Sequence, residues 1–410
     1  MKYADALAYL MAKLPMYQRI GQAALKPNLD NTHALLNACG NPEKKLTCIH
    51  IAGTNGKGSV AHMLASIFQE AGYRTGLYTS PHLVDFRERI KINGQWISKQ
   101  AVVDFVSTHQ QQLERIGPSF FEMSVAMAFH YFKVQQTDIA IIETGLGGRL
   151  DSTNVIQPLL SIITNVSMDH MHLLGNTKEA IAREKGGIIK KNTPVLINES
   201  DERVKTVFQK QAEKNHAPIY EAKKLVSKVY PTDLLGDYQQ LNTCCAQAAI
   251  KLVNGLSDFK ISDLQLQTGL QKVVKNTGFS GRWQVLQEHP RIILDVGHNE
   301  DGWRFILSNL AKESYEQLHV VMGIAGDKEM DTIFNLLPKH AHYYWCAANV
   351  PRALSANELA QLGKQYGLSG TLVPQVNNAL HTALTKCKSS DLILVAGSLF
   401  VVGEVLVEKM

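Results

Sequence analysis

Three glycines, a lysine and a serine fall within Gly53-Thr54-Asn55-Gly56-Lys57-Gly58-Ser59. Residues of these types at this spacing bind phosphate. Glycines let backbone N–H groups turn toward one point, and a lysine adds a mobile charge for β/γ-phosphates. A serine hydroxyl can ligate the Mg2+ that accompanies a triphosphate. Such a loop needs a strand to deliver it and a helix to leave it, because the helix N-terminus aims its own N–H groups at the anion. The flanks meet that demand. Ile49 to Ala52 is apolar and partly β-branched, a short buried strand, while Val60 to Glu70 has helical spacing with Met63, Leu64 and Ile67 on one face. The spacing departs from GxxxxGK[ST]: two fewer residues separate the first glycine from Gly56, and Gly58 intervenes before Ser59. A purely structural turn would gain nothing from Lys57 and the hydroxyl after it.

Three further residues could act beside that loop, since ligands of doubly wound sheets collect at the carboxyl ends of strands. Glu143 ends the apolar run Ile139 to Ile142 and precedes the glycine turn Thr144-Gly145-Leu146-Gly147-Gly148-Arg149. A carboxylate there serves as a helix cap or surface acid as readily as a ligand, but next to a phosphate loop a hard oxygen suits Mg2+. His170 follows Ser167-Met168-Asp169 at another strand end. A lone histidine is more often structural, and imidazole is an unusual ligand for Mg2+. Lys185 stands before Gly186-Gly187; on isolated physics it is a solvated lysine favouring a helix C-terminus.

The elements that must position these groups follow from the rest of the chain. Its 410 residues exceed one ordinary core, so two domains are expected. With 45% hydrophobic and 19% charged residues the composition is that of a globular protein. The net charge of +5 is not gathered into a basic tail, which favours small anionic substrates over nucleic acid. No apolar run reaches membrane-spanning length and residues 1–20 lack a signal-peptide core. Six cysteines without CxxC spacing, Cys48 among them in a buried strand, fit reduced, cytoplasmic usage without a zinc site.

Helical spacing at Tyr3, Leu7, Leu10 and Leu14 gives way to a looser stretch around Pro27 and Asn28. Strands are expected at Tyr73–Thr79, Asp138–Glu143, Leu159–Val166 and Pro194–Asn198, with a hairpin through Ile92–Trp96 and helices at 99–116, 120–136 and 239–253. That alternation predicts an α/β fold with a doubly wound, mainly parallel sheet. A second βα series starts near Arg291, with strands at Ile292–Val296, Val320–Met322, Tyr343–Cys346 and Leu392–Val395. The expected division is 1–281 and 282–410, in the glycine-containing stretch Thr277-Gly278-Phe279-Ser280-Gly281.

GTNGKGS, SPHLVDFRERI, FFEMSVAMAF, IETGLGGRLDSTN, SMDHMHLLG, EKGGIIK, GDYQQLN, GRWQ, DVGHNEDG and GSLF run in this order from residue 53 to residue 400. The set resembles the folylpolyglutamate synthase and dihydrofolate synthase branch of the Mur ligase superfamily. SPHL and the ETGLGGRLD loop mark this branch over the cell-wall enzymes. The resemblance implies an N-terminal ATPase domain and a smaller C-terminal α/β domain that closes over it. It implies that Gly53, Thr54, Asn55, Gly56, Lys57, Gly58 and Ser59 hold ATP, with Ser59, Glu143 and His170 as metal ligands. Lys185 looks like the lysine that becomes a carbamate. Asn242 and Arg282 look like contacts to the base and phosphate sides, Asp295 and His298 like site residues of the segment usually written DGAHN, and Ser398 like the serine near the amino-acid site. Ser80, His82, Phe120 and Phe121 match substrate-side segments, and Phe120, Phe121 and Leu83 could wall a flat pterin. Tyr238 stands where histidine is frequent, and Ser280-Gly281 where Pro-Gly is common.

The function so implied is ATP-dependent amide ligation. A carboxylate has no good leaving group at neutral pH, whereas its acyl phosphate releases phosphate when an amine attacks. The implied partners are small molecules: L-glutamate as the amine, and dihydropteroate or reduced folates as acceptors. ATP, two Mg2+, a carbamylated Lys185 and a monovalent cation complete the set, in a cytoplasmic monomer with no nucleic-acid or membrane partner. Polyglutamylation alone, a Mur-type cell-wall ligase and a P-loop regulatory switch are the alternatives.

Overall fold

A computed structural model describes residues 1–16, 26, 28–325 and 330–409; Pro27 lies outside them. The first sheet has eight strands: Cys48–Ala52 (β1), Thr75–Tyr78 (β2), Ile90–Ile92 (β3), Gln95–Trp96 (β4), Ile139–Glu143 (β5), Leu160–Ile163 (β6), Val195–Ile197 (β7) and Ile219–Glu221 (β8), in the order β4-β3-β2-β5-β1-β6-β7-β8. β1, β2, β5, β6 and β7 are buried along their whole length, which explains why their sequences are mostly apolar rather than alternating. Only the β2–β3–β4 edge is antiparallel. Cys48, Tyr78, Ala140 and Ile142 face a core shared with the helices Lys99–Ile116 and Phe120–Val134. The second of these starts where it does because Ser119 and Glu122 form a reciprocal capping box, Glu122 N donating to Ser119 Oγ at 3.2 Å and Ser119 N to Glu122 Oε2 at 2.6 Å.

β1 lies between β5 and β6, with Ile51 beside Glu143 and Ala52 beside Ile163. The loops leaving the carboxyl ends of these three strands therefore emerge side by side, at the place where open α/β sheets bind ligands.

The second sheet has six strands: Gln284–Glu288 (β9), Arg291–Leu294 (β10), Leu318–Met322 (β11), His342–Ala347 (β12), Ser369–Gln375 (β13) and Leu392–Ala396 (β14), in the order β13-β12-β11-β14-β10-β9. Only β9 is antiparallel to its neighbour. Its core includes an aromatic stack: the rings of Tyr343 and Trp345 stack at 4.7 Å and Phe334 stacks on Trp345 at 6.0 Å.

The chain divides into two units, Met1–Asp233 with Gln239–Phe279, and Leu234–Tyr238 with Ser280–Met410. The short segment 234–238 is held within the second unit by Asp237 N donating to Asn309 Oδ1 at 3.1 Å and by Tyr238 OH donating to Asp295 Oδ2 at 3.2 Å. Strands β8, β9 and β13 and the helix Asp30–Ala38 were not apparent from the sequence. The three strands have no fully buried residue, so none shows an apolar run. Among the described residues no helix is long and apolar enough to cross a membrane.

Candidate active site

β1 ends at Ala52 and the helix Lys57–Glu70 begins at Lys57, so Gly53–Gly56 is the intervening turn. Gly56 caps the helix at φ 84°, in the left-handed region, and a Cβ there would stand 2.3 Å from Asn242 Oδ1. Glycine is required on both counts. The first helical turn carries no acidic residue, leaving its N–H groups and Lys57 as an electropositive end. The carboxyl end of β6 braces the turn. Thr54 N donates to Asn165 O at 3.0 Å, Asn55 N to Asn165 Oδ1 at 2.8 Å, and Thr164 Oγ1 to Asn55 O at 2.7 Å. Sequence reasoning missed Thr164 and Asn165. Their signal was the polar pair that ends an otherwise apolar strand.

Ser59 is buried, and so is Glu143, whose Oε2 accepts from Ser80 N at 3.1 Å. A Cβ on Gly58 would lie 3.8 Å from Glu143 Oε1, so the carboxylate stands against the loop at the residue before Ser59. A hydroxyl and a carboxylate as neighbouring hard donors fit Mg2+. His170 sits at φ 51° before the short helix Met171–Leu174, with Nε2 3.8 Å from Asp169 Oδ1. Its imidazole is a softer donor that does not by itself select Mg2+.

Lys185 departs most from its isolated reading. It is 4% exposed, and its Nζ donates to Gly53 O at 2.8 Å, the same carbonyl that accepts from Lys57 Nζ at 3.0 Å. Burial first, then the Lys57 charge, pulls its amine from the ordinary lysine value down to about 7. The glycines around it permit this approach: a Cβ on Gly187 would meet Arg149 Cα at 2.4 Å, and one on Gly148 would meet Lys185 O at 2.7 Å.

The loop after Glu143 is held by Asp151, another residue the sequence did not single out. Asp151 Oδ2 accepts from Gly145 N and Leu146 N, both at 2.8 Å, and Oδ1 accepts from Thr153 N at 3.0 Å and Thr153 Oγ1 at 2.5 Å. His50 on β1 lies 2.8 Å from Thr153 Oγ1 through Nε2, and burial keeps it neutral by pulling it down to about 3. With the threonine proton committed to Asp151, His50 is the donor in that pair.

On the β2–β3 side, Arg89 Nε donates to His82 Nδ1 at 2.8 Å. That bond places the imidazole proton on Nε2, and burial and the Arg89 charge pull His82 down to about 3. Arg89 is buried itself and lies over the Phe120 ring at 5.5 Å. Phe120, at 2% exposure, is thus a core residue beneath Arg89, edge-on to Phe86 at 5.4 Å. Phe121 is half-buried against Gly145, and Leu83 is half-buried. Arg89 was quoted in the sequence only as part of a segment; nothing but a three-dimensional arrangement distinguishes it from Arg87.

The second unit holds the remaining candidates. Asp295, fully buried at the carboxyl end of β10, accepts from Trp283 N at 2.9 Å, Gly297 N at 2.7 Å and Tyr238 OH. Burial raises its carboxyl, opposed by the nearby Arg282 charge and these donors. His298 Nδ1 donates to Val296 O at 3.0 Å. Within DVGHN, Val296 is buried, and Gly297 faces Ile306, whose Cδ1 would be 2.7 Å from a Cβ. Ser398 is buried, its Oγ accepting from Val401 N at 3.3 Å at the start of the helix Leu399–Lys409.

Comparison with known proteins shows kinship along the whole chain. Residues 51–234 match the Mur ligase middle domain and residues 281–399 match the Mur ligase, glutamate ligase domain. The dihydrofolate synthase/folylpolyglutamate synthase of Bacillus subtilis is 33% identical, over 98% of both chains. E. coli FolC in complex with DHPP and ADP superposes with a TM-score of 0.87 at 27% identity, covering 100% of this chain and 98% of that one. A bifunctional folylpolyglutamate synthase/dihydrofolate synthase with Mn, AMPPNP and L-glutamate bound gives 0.86 at 27% identity, with the same coverage. Kinship along the whole chain, with both Mur ligase domains matched, places this protein in the dihydrofolate synthase/folylpolyglutamate synthase family of Mur ligases.

Proposed function

We propose that this chain is an ATP-dependent carboxylate–amine ligase that adds L-glutamate to dihydropteroate and to reduced folates through an acyl phosphate. The observation that carries the reading is the phosphate turn, with Glu143 beside Gly58 and Lys185 on the Gly53 carbonyl. The relatives support the substrates, since one structure carries DHPP with ADP and another AMPPNP with L-glutamate. We assign the nucleotide chemistry to residues 1–281 and the glutamate step to residues 282–410.

In this mechanism the N–H groups of Gly56 to Ser59 and the Lys57 ammonium orient the triphosphate and take up charge as the γ-phosphoryl group moves to the acceptor carboxylate. Ser59, Glu143, His170 and the modified Lys185 hold the divalent cations, whose contribution is to neutralise phosphate charge. Asn242 contacts the base side of the nucleotide and Arg282 its phosphate side. His82, neutral with its proton on Nε2, offers a fixed donor to the acceptor substrate, near Ser80 and Phe121. Ser398 binds toward the incoming amino acid. The amine then attacks the acyl carbon, a tetrahedral intermediate forms, and phosphate leaves; water must be kept out, because the acyl phosphate hydrolyses.

Lys185 acts as a carbamate, a monovalent cation assists, and the enzyme works as a cytoplasmic monomer; sedimentation tests the monomer and fractionation the location. The assignment of acceptors is tested by steady-state ADP release with dihydropteroate or tetrahydrofolate, each with and without glutamate. Both acceptors should give glutamate-dependent ADP. Release with tetrahydrofolate alone would reduce the enzyme to polyglutamylation, and release with neither would remove the reading.

Asp295 and His298 should separate in a further measurement. Asp295→Ala strips the acceptor from three donors, so it should lower unfolding stability by about 1–3 kcal/mol as well as turnover. His298→Ala removes the bond to Val296 O at a half-buried site and should keep the melting temperature while lowering glutamate-dependent turnover. Unchanged kinetics in His298→Ala would exclude this histidine from the reaction.

A further inference from the structure

At the end of the second sheet opposite Asp295, three donors of different chemistry converge. His319 is the second residue of β11, Asp391 leads into β14, and Cys387 precedes it in the same turn. An imidazole nitrogen, a carboxylate oxygen and a thiol sulfur there lie within 4.8 Å of one another. His319 and Asp391 are 6% and 5% exposed, while Cys387 is half-buried, so solvent reaches the cluster from the cysteine side.

Each donor is held by a neighbour. The Tyr344 hydroxyl occupies His319 Nδ1 at 3.1 Å, which turns Nε2 toward Asp391. Nε2 is buried without a hydrogen-bond partner, 3.6 Å from Asp391 Oδ2, too long for a hydrogen bond. It is close to the spacing of two ligands on one tetrahedral ion, about 3.4 Å for metal–ligand bonds near 2.0–2.2 Å. Asp391 Oδ2 accepts from Lys388 N at 2.8 Å and Oδ1 from Gln317 N at 3.2 Å, so the carboxylate is aimed and retains lone pairs. Asp391 N donates back to Lys388 O at 3.2 Å, closing the turn that carries Cys387. The opposing charge is Lys386, which lies over the Tyr344 ring at 5.9 Å; burial and Lys386 favour the neutral His319 that ligates metals, against the pull of Asp391. His342, the other histidine nearby, is engaged with Thr371 Oγ1 at 2.9 Å.

We propose that His319, Cys387 and Asp391 bind one divalent transition-metal ion of the Zn2+ class, with water as the fourth ligand. The thiol proton of Cys387 passes to solvent as the sulfur–metal bond forms. The N, S, O donor set rejects Mg2+ and Ca2+, which take oxygen ligands, so this site is separate in chemistry from that of Ser59 and Glu143. The ion clips the start of β11 to the turn before β14.

Co2+ added to the full-length protein in the presence of Mg2+–ATP should give a near-ultraviolet thiolate-to-cobalt band at one equivalent, removed by Zn2+. Cys387→Ser should lose the band while keeping ligase turnover and the metal-free melting temperature. Tyr344→Phe should keep the band at saturation but bind Co2+ roughly 10–100-fold more weakly, because only the group orienting His319 is gone. His319→Ala and Asp391→Asn should each weaken binding by at least as much. No band in excess Co2+, an undiminished band in Cys387→Ser, or unaltered affinity in both His319→Ala and Asp391→Asn would overturn the site.

Discussion

Lys57→Ala should give a folded protein whose acyl-phosphate formation is slower by roughly 10²–10³-fold or more. The side chain is half-buried and its Nζ donates to the turn carbonyls Gly53 O and Thr54 O, so little of the fold depends on it. Alanine is also a better helix former than lysine at a helix start. What disappears is the point charge opposite the transferring phosphoryl group. Lys57→Arg should not restore the rate, since a planar guanidinium does not reproduce a compact ammonium. Ser59→Ala should be milder, because water can replace one oxygen ligand of Mg2+. Single-turnover trapping of the acyl phosphate with hydroxylamine, alongside ADP release, measures all three. Full activity in Lys57→Ala would remove the phosphate-loop assignment.

The loss expected for Lys185→Ala is of similar size, about 10²–10³-fold, with part of the rate recovered by a small added carboxylate such as formate. Two amines share the Gly53 carbonyl, and an ammonium on both would repel the other and any bound Mg2+. A folded value of about 7 for Lys185 keeps much of its amine neutral at physiological pH. A neutral amine adds to CO2, forming an N–C bond and releasing a proton, and the anionic carbamate presents two hard oxygens. The sign of the pH effect follows. Below about 7 the amine is protonated and cannot add CO2, so carbamate and activity should fall together as the pH drops. Above it, bicarbonate should restore both. For the unmodified chain the folded state binds fewer protons than the unfolded one between about 7 and the unfolded lysine value of about 10.4, so stability rises with pH across that window. A carbamate resonance after [13C]bicarbonate labelling, absent in Lys185→Ala, is the direct measurement. An unmodified lysine together with an active Lys185→Ala enzyme would reject the carbamate.

What the sequence made legible divides by the range of the interaction. The Gly53–Ser59 turn is a local object: strand, glycines and helix start lie in one stretch, and backbone geometry follows from residue type. The buried central strands were equally plain, because burial on both faces leaves no room for polar alternation. Strand β13, Ser369–Gln375, is largely exposed and reads as loop. The groups that brace the site were hidden for a different reason. Thr164 and Asn165 bond a turn about 110 residues away in sequence, and His50 reaches Thr153 across 103. No periodicity marks such pairs. Lys185 shows the same limit from the other side: its type and neighbours suggest a solvated helix end, and only the packing of Gly148 and Gly187 reveals an enclosed amine.

The division of the chain at Asp233–Leu234, Tyr238–Gln239 and Phe279–Ser280 bears on how this protein can be taken apart. A gene fragment beginning at codon 280 would not encode the whole second unit, since five of its residues are written upstream. Without them Asn309 loses the Asp237 N–H and Asp295 loses the Tyr238 hydroxyl. Recombination that swaps the two units between relatives at a single crossover therefore grafts a foreign five-residue segment onto the incoming half. Chimeras should tolerate such an exchange best when residues 234–238 travel with the downstream piece, which requires two additional junctions. The unit of heredity here is interleaved, even though the unit of packing is not.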